Sequence, residues 1–328
     1  MNILPPFQNP ALLGHDAALK QIADAYASGR MHHAWLVTGI EGIGKATLAY
    51  HVAHFILSDG KNALGKPNMQ HPASKLIAAE AHPDLFVLRR PIDDKSGEPK
   101  DVIPAEDARK IAPFLHMTAS LGGWRMAIID EAHTLNRHGQ NAILKVIEEP
   151  PKKCVIVLTA TAAGGLLPTI RSRCRILPLQ PLNENVMRAV LARCDVDERD
   201  QANLSRVIQL SSGSAGFALK MLENEALPLY EELMALLQNF ETARLHALAD
   251  KMSRKADADS FAVITQLLVD HLRRNARDLA GQTPVSAQLD RALQLWDKVK
   301  QTFAMAAGAN LDRKLAFINA IMEIRRAA

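Results

Sequence analysis

GIEGIGKAT, Gly39 to Thr47, packs three glycines and a lysine into nine residues. A short apolar run, Ala34 to Val37, precedes it, and a helical pattern from Leu48 through Leu57 follows, so the order is strand, glycine-rich turn, helix. A phosphate-binding loop requires that order. Gly39, Gly42 and Gly44 let successive backbone N–H groups converge on an anion, and the following helix adds its positive end. Lys45 supplies a point charge for the outer phosphates. The next position normally carries Ser or Thr, whose hydroxyl ligates Mg²⁺. Here it is Ala46, and Thr47 lies about 100° further round the helix.

Working outward, Met126 to Ile129 is an apolar run ending in Asp130-Glu131, and Cys154 to Leu158 is another, with Thr159 and Thr161 where it stops. Continuous apolar strands belong in a parallel sheet covered on both faces. An acidic pair after such a strand, downstream of a phosphate loop, reads as a Walker B motif: Asp130 holds Mg²⁺ through water and Glu131 polarises the attacking water. Up to about residue 180 strands and helices alternate, which predicts a three-layer α/β domain with its ligand at the carboxyl ends of the strands. Pro104 to Leu115 reads as one helix, and residues 89–101 as an exposed connection.

From residue 183 the strand signal disappears. Three short helices are expected near 185–193, 199–210 and 214–222, followed by longer amphipathic ones. Their apolar stripes are Phe261, Ile264, Leu268 and Leu272; Leu289, Leu293, Trp296, Val299 and Phe303; and Leu311, Leu315, Ile318 and Met322. Each stripe predicts a bundle core.

Composition sets the bounds. The 328 residues, 48% hydrophobic with 5% aromatic, suit two or three helix-leaning domains. No apolar run is long enough to span a membrane and the N-terminus lacks a signal-peptide pattern, so the expected location is cytoplasmic. A net charge of +4 neither requires nor excludes nucleic acid. Cys154, Cys174 and Cys194 lack metal-site spacing and read as reduced thiols. Adjacent residues such as His32-His33 are expected to point to different sides of a strand or helix, and no third ligand is near in sequence, so no metal site is expected there.

SGRMHHAWLVTG (28–39), AHPDL (81–85), WRMAIIDEAHTLN (124–136), NAILKVIEEPP (141–151) and LLPTIRSRC (166–174) together resemble the clamp-loader branch of the AAA+ ATPases. The resemblance covers residues 12 to about 222; beyond that it rests on helical character and NLDRKLAF (310–317). It implies an α/β plus all-α chain: a RecA-like AAA+ P-loop domain over 1–180, a three-helix lid over 181–224, and a C-terminal helical collar for oligomerisation over 225–328. It also implies site residues. Gly39, Gly42, Gly44, Lys45, Ala46, Thr47, Asp130 and Thr161, at the sensor 1 position, would bind nucleotide. Glu131 would be a vestigial catalytic group, and Arg173 an arginine finger acting in trans on a neighbour's ATP. The implied partners are the motor and delta-type subunits of a hetero-oligomeric ring, with the sliding clamp and primer-template DNA reached through that complex, in replication by bacterial DNA polymerase III.

Three departures qualify this. Ala46 lacks the hydroxyl, Gly216 stands where motor subunits carry the sensor 2 arginine, and 58–81 contains no cysteine where relatives hold zinc. ATP and Mg²⁺ are therefore expected to be weak or vestigial ligands, and zinc none. Two other readings stay open. One is an active P-loop ATPase, a loader motor or a helicase-like enzyme, since Asp130 to His133 also spell the DEAH box; a helicase would need a second RecA-like domain where this chain turns helical. The other, a DNA-binding scaffold, lacks a basic stripe.

Overall fold

The apolar runs either side of the glycine-rich turn are strands of one parallel sheet. The computed structural model describes every residue except 2, 94–96, 98, 197–200, 254–257, 283–285, 309–311 and 328. Its first part runs α1 (Asp16–Ala27), β1 (Ala34–Thr38), α2 (Lys45–Ile56), α3 (Pro72–Ala78), β2 (Leu85–Leu88), α4 (Ala105–Arg109), α5 (Ile111–His116), β3 (Arg125–Ile129), α6 (Arg137–Glu148), β4 (Cys154–Ala160), α7 (Pro168–Arg171), β5 (Arg175–Pro178) and α8 (Glu184–Arg193). The sheet order is β2-β3-β4-β1-β5, all parallel.

Every residue of β3 and β4 is buried, which is why these strands read as unbroken apolar runs rather than alternating ones. Leu36, Ile129, Ile156 and Leu158 turn one way, onto Ile111 and Leu115 of α5 and Ile143, Val146 and Ile147 of α6. The α2 helix packs on the sheet as well, against β1, β3 and β4. Because β1 lies beside β4, the carboxyl ends of β3, β4 and β1 stand side by side, and the glycine-rich loop leaves from that edge.

Several elements depart from what their sequence pattern predicts. Residues 104–115 form two helices that break at Lys110, because Pro113 has no N–H to donate to Arg109. The edge strand β5 went unread: Arg-Ile-Leu-Pro is short, three of its four residues are exposed, and its proline is tolerated only because an edge strand end needs no donor. The final helix also buries another face, described below.

The AHPDL motif is structural. Asp84, 1% exposed, accepts hydrogen bonds from Ser120 N (2.7 Å), Leu121 N (3.0 Å) and Arg125 Nε (3.2 Å). Arg125 is buried as well, donates to the Phe114 carbonyl, and lies 4.4 Å over the Phe114 ring. Burial alone would raise the Asp84 pKa; the hydrogen bonds from Leu121, Ser120 and Arg125 outweigh it and hold the carboxyl below its usual value. The network ties the start of β2 to β3 and to the turn between α5 and β3.

The buried face of α2 carries two neutral histidines. His51 and His54 are fully buried; His51 Nε2 donates to the Asn9 carbonyl (2.9 Å), and His54 Nδ1 pairs with Ser74 Oγ (3.0 Å). Burial pushes both down to about 4 from the ordinary 6.5. Between those values the unfolded chain binds protons that the folded chain refuses. Stability is therefore full above about pH 6.5 and falls as pH drops towards 4, by up to roughly 3 kcal/mol per histidine. Urea denaturation at pH 7, 5.5 and 4.5 checks this; His51→Gln with His54→Gln should flatten the profile, and a flat wild-type curve would contradict the assignment.

Contacts divide the chain into two compact units, Met1–Arg199 with Ser211–Gly216, and Asp200–Leu210 with Phe217–Ala328. The second contains α9 (Gln201–Leu210), most of α10 (Ala215–Glu223), α11 (Ala226–Gln238), α12 (Thr242–Ser253), α13 (Ala258–Gln282), α14 (Ala287–Gly308) and α15 (Arg313–Ala327). The first stripe is core, with Ile264 and Leu268 fully buried. The second is core at Leu289, Val299 and Phe303, while Leu293 is exposed. The third is corrected: Leu311 lies outside the described residues, Leu315 is 57% exposed, and α15 buries Ala316, Phe317, Ala320, Ile321 and Ile324 instead. Small alanines escape a stripe drawn through the larger residues. Arg325 lies 4.0 Å over the Phe240 ring, and Lys298 of α14 pairs with Glu323 of α15 at 2.7 Å. No helix among the described residues is long and apolar enough to cross a membrane.

Candidate functional site

The site forms where β1 ends and α2 begins. Gly42 (φ +73°) and Gly44 (φ +105°) occupy left-handed conformations that only glycine adopts without strain, and Gly44 caps α2. The loop's carbonyls are all engaged. Lys45 Nζ donates to Gly39 O and Ile40 O (both 2.8 Å), Ser214 Oγ to Glu41 O (2.7 Å), the Gly216 N–H to Gly42 O (2.8 Å), His15 Nε2 to Ile43 O (2.8 Å) and the Leu48 N–H to Gly44 O (2.9 Å). The N–H groups of Gly44, Lys45, Ala46 and Thr47, by contrast, donate to nothing among the described residues. Acceptors are tied back and donors are left at a helix start, the arrangement that fits a phosphate. Burial lowers the Lys45 pKa, while Asp130, Glu41 and Glu131 pull it back.

The metal side fits less well. The Ala46 side chain carries no oxygen, and Thr47 beside it is half-buried. Asp130 accepts a 2.5 Å hydrogen bond from Thr159 Oγ1, which itself accepts from the Glu131 N–H (2.8 Å). Glu131 sits at φ +52°, a strained value for a non-glycine residue, and its carboxylate is taken by Arg90 Nε at 2.6 Å. A glutamate committed to a guanidinium is poorly placed to polarise water.

Of the residues expected from sequence, Lys45, Asp130 and Glu131 lie near enough for their charges to interact. Thr161 is exposed just beyond β4, and the hydroxyl that meets Asp130 belongs to Thr159, fully buried. Arg90, Thr159, His15 and Ser214 were missed. Thr159 ends a strand buried on both faces and Arg90 lies in a charged connection, so neither carries a local signal of its partner.

Gly216 has a local reason to be glycine. A Cβ there would stand 2.7 Å from Gly42 Cα and 3.1 Å from Gly42 O, both backbone atoms. Gly216→Ala is accordingly expected to cost about 1–3 kcal/mol through overpacking. Thermal denaturation checks it, and an unchanged melting temperature would show that the contact yields freely.

Arg173 stands apart. Leu166 and Ile170, both buried, anchor its segment in the core, and Gln140 of α6 brackets it: Oε1 accepts from Leu167 N (2.8 Å) and Nε2 donates to Leu135 O (3.0 Å). The guanidinium pairs with Glu148 (3.1 Å) and donates to the Thr169 carbonyl (3.1 Å). Neither partner belongs to the loop or to the Asp130-Glu131 pair. His33 Nε2 donates to the Ile147 carbonyl at the end of α6 (2.9 Å), a structural use for the histidine pair.

A five-stranded parallel sheet with a glycine-rich loop after β1 and an acidic pair after β3 defines a P-loop nucleotide-binding fold of the RecA-like AAA+ type, here followed by helices. A sequence profile described as "DNA polymerase III, delta subunit" matches residues 14–183, more than half of the chain, and the chain belongs to that family. DNA polymerase III subunit delta' of Pseudomonas aeruginosa is 36% identical over 184 residues, covering 56% of this chain and 53% of that protein. Subunit delta' of Escherichia coli K12 is 28% identical over 258 residues, 78% of this chain and 74% of that protein. Subunit gamma of Buchnera aphidicola (subsp. Schizaphis graminum) is 30% identical over 218 residues, 65% of this chain, which spans 57% of that protein's length. A solved gamma subunit-related protein from Thermotoga maritima overlays 93% of this chain and 99% of its own at a TM-score of 0.45 and 18% identity.

Proposed function

We propose that the chain is a delta'-type subunit of a DNA polymerase III clamp loader: a ring member with little or no ATPase of its own that offers Arg173 to the ATP of a neighbouring motor subunit. The other ring members, and through them the sliding clamp and primer-template DNA, are its proposed partners. Within this reading residues 181–224 act as the lid and 225–328 as the collar.

The observation that carries the proposal is the contrast between two sites on one unit. The local site has a phosphate cradle, no hydroxyl at position 46, and a glutamate held by Arg90. Arg173 is solvent-accessible, paired with Glu148 and Thr169, and bound to none of those residues. Magnesium-bound ATP, where a P-loop holds it, supplies the phosphoryl group and the charge that builds up on it. In this chain the N–H groups of Gly44 to Thr47 and the Lys45 ammonium would hold phosphate oxygens, and Asp130 would be the remaining support for the ion. A guanidinium outside that cradle offers its fork of donors to phosphate oxygens elsewhere.

The isolated chain is therefore expected to hydrolyse ATP far below ordinary enzyme rates of roughly 1–10³ s⁻¹. Ala46→Thr should tighten Mg²⁺-nucleotide binding without altering the fold. Steady-state turnover and calorimetric titration test both. Fast turnover by the isolated wild-type chain would favour the second reading, an active motor, for which the intact Lys45, Asp130 and Glu131 are the specific support.

A further inference from the structure

Glu148 is an odd residue where it stands. It is the last residue of α6, where a negative side chain opposes the negative end of the helix. Its backbone is well fixed: Val146 and Ile147 are buried, His33 holds the Ile147 carbonyl, and the Glu149 N–H closes the last turn on Lys145 O (3.0 Å). A helix end that disfavours a carboxylate, yet presents one on a rigid mount, has it for something outside the helix. That something is the Arg173 guanidinium, 3.1 Å from Oε1, with the two side chains 39% and 41% exposed.

The guanidinium is held on two sides. One terminal nitrogen, Nη1, donates to the Thr169 carbonyl at 3.1 Å and meets Ser172 Oγ at 3.5 Å; the other, Nη2, meets Glu148. The contacts from its own segment set the direction of the side chain and leave its charge intact. Glu148 differs, since a carboxylate neutralises the charge that a phosphate would recognise and occupies donors that a phosphate would use.

We propose that Glu148 is a positioning residue that keeps Arg173 in reserve: it holds the guanidinium on this chain until a more highly charged phosphate of a neighbouring subunit displaces it. The inference rests on the reading of Arg173 as a finger that acts in trans. An exposed ion pair is weak enough to be exchanged for a polyphosphate, and strong enough to bias the unengaged state by about two- to fivefold.

The test uses the reconstituted loader and its ATP hydrolysis without DNA. Glu148→Gln keeps the shape and removes the charge, and is expected to raise this basal rate by about two- to fivefold. Glu148→Asp, which keeps the charge, should restore much of the wild-type restraint. In the double variant Glu148→Gln with Arg173→Ala the rise should vanish. A basal rate in Glu148→Gln at or below wild type overturns the inference, as does a rise that survives in the double variant. Arg173→Ala alone separates the two levels. If it slows the complex while Glu148→Gln changes nothing, only the reserve role fails; if it changes nothing, the trans reading beneath it fails as well.

Discussion

If Arg173 serves a neighbour's ATP as proposed, Arg173→Ala is expected to slow hydrolysis at that site by about 10³-fold or more, the scale on which arginine fingers act. The loss should appear in DNA-stimulated turnover and clamp loading by the reconstituted complex. Stability should hardly change, since the side chain gives up only an exposed ion pair and contacts within its own segment. The melting temperature of the isolated chain should therefore fall by no more than about 2–4 °C, and ring assembly should persist. Arg173→Lys is a sharper version. It keeps a positive charge but loses the planar fork, so it should recover little. Complexes that carry Arg173→Ala, assemble normally, and turn over ATP at the wild-type rate would make the arginine structural.

Asp84→Ala should have the opposite profile: no direct effect on chemistry and a severe effect on folding. It removes the carboxylate that satisfies Arg125 and two backbone N–H groups at once, and leaves a buried guanidinium paired only with carbonyls and the Phe114 ring. Breaking a buried pair from one side costs about 3–5 kcal/mol. On a unit of this size that is a fall of roughly 10 °C or more in melting temperature. Asp84→Asn keeps one acceptor and should cost less. Urea denaturation of the isolated chain measures both, and a loss below about 1 kcal/mol for Asp84→Ala would mean that the pair is not the support it looks to be.

The parts of the fold legible in sequence were those where one physical demand acts alone. Full burial made β1, β3 and β4 readable as apolar runs, and the need for left-handed backbone at Gly42 and Gly44 made the loop readable as glycines. Where two demands compete, the reading failed. The edge strand β5 is exposed and ends in proline, so pairing with β1 rather than its own composition makes it a strand. In α15 the buried face is set by close approach to α12 and α14, which favours Ala316 and Ala320 over the larger Leu315. The site shows the same division. The loop, Asp130 and Glu131 announce themselves by motif, whereas Arg90 and Thr159 matter only through residues far from them in the chain, which no local pattern records.

The phosphate loop with all its carbonyls tied back has a polarity that a glycine-rich turn in water does not. A peptide backbone ordinarily offers both signs of partial charge, and a free loop will solvate a cation as readily as an anion. Here the lysine, the serine hydroxyl, the histidine and two amides have taken the negative ends, so the exposed backbone at the start of α2 shows only its positive ends. The discrimination is by sign and not by identity. Such a surface favours a phosphate over a bare cation, since each loop carbonyl already accepts a hydrogen bond. A chain with no hydroxyl at position 46 can thus still offer a selective seat for the anion, since the anion and metal halves of such a site are separable.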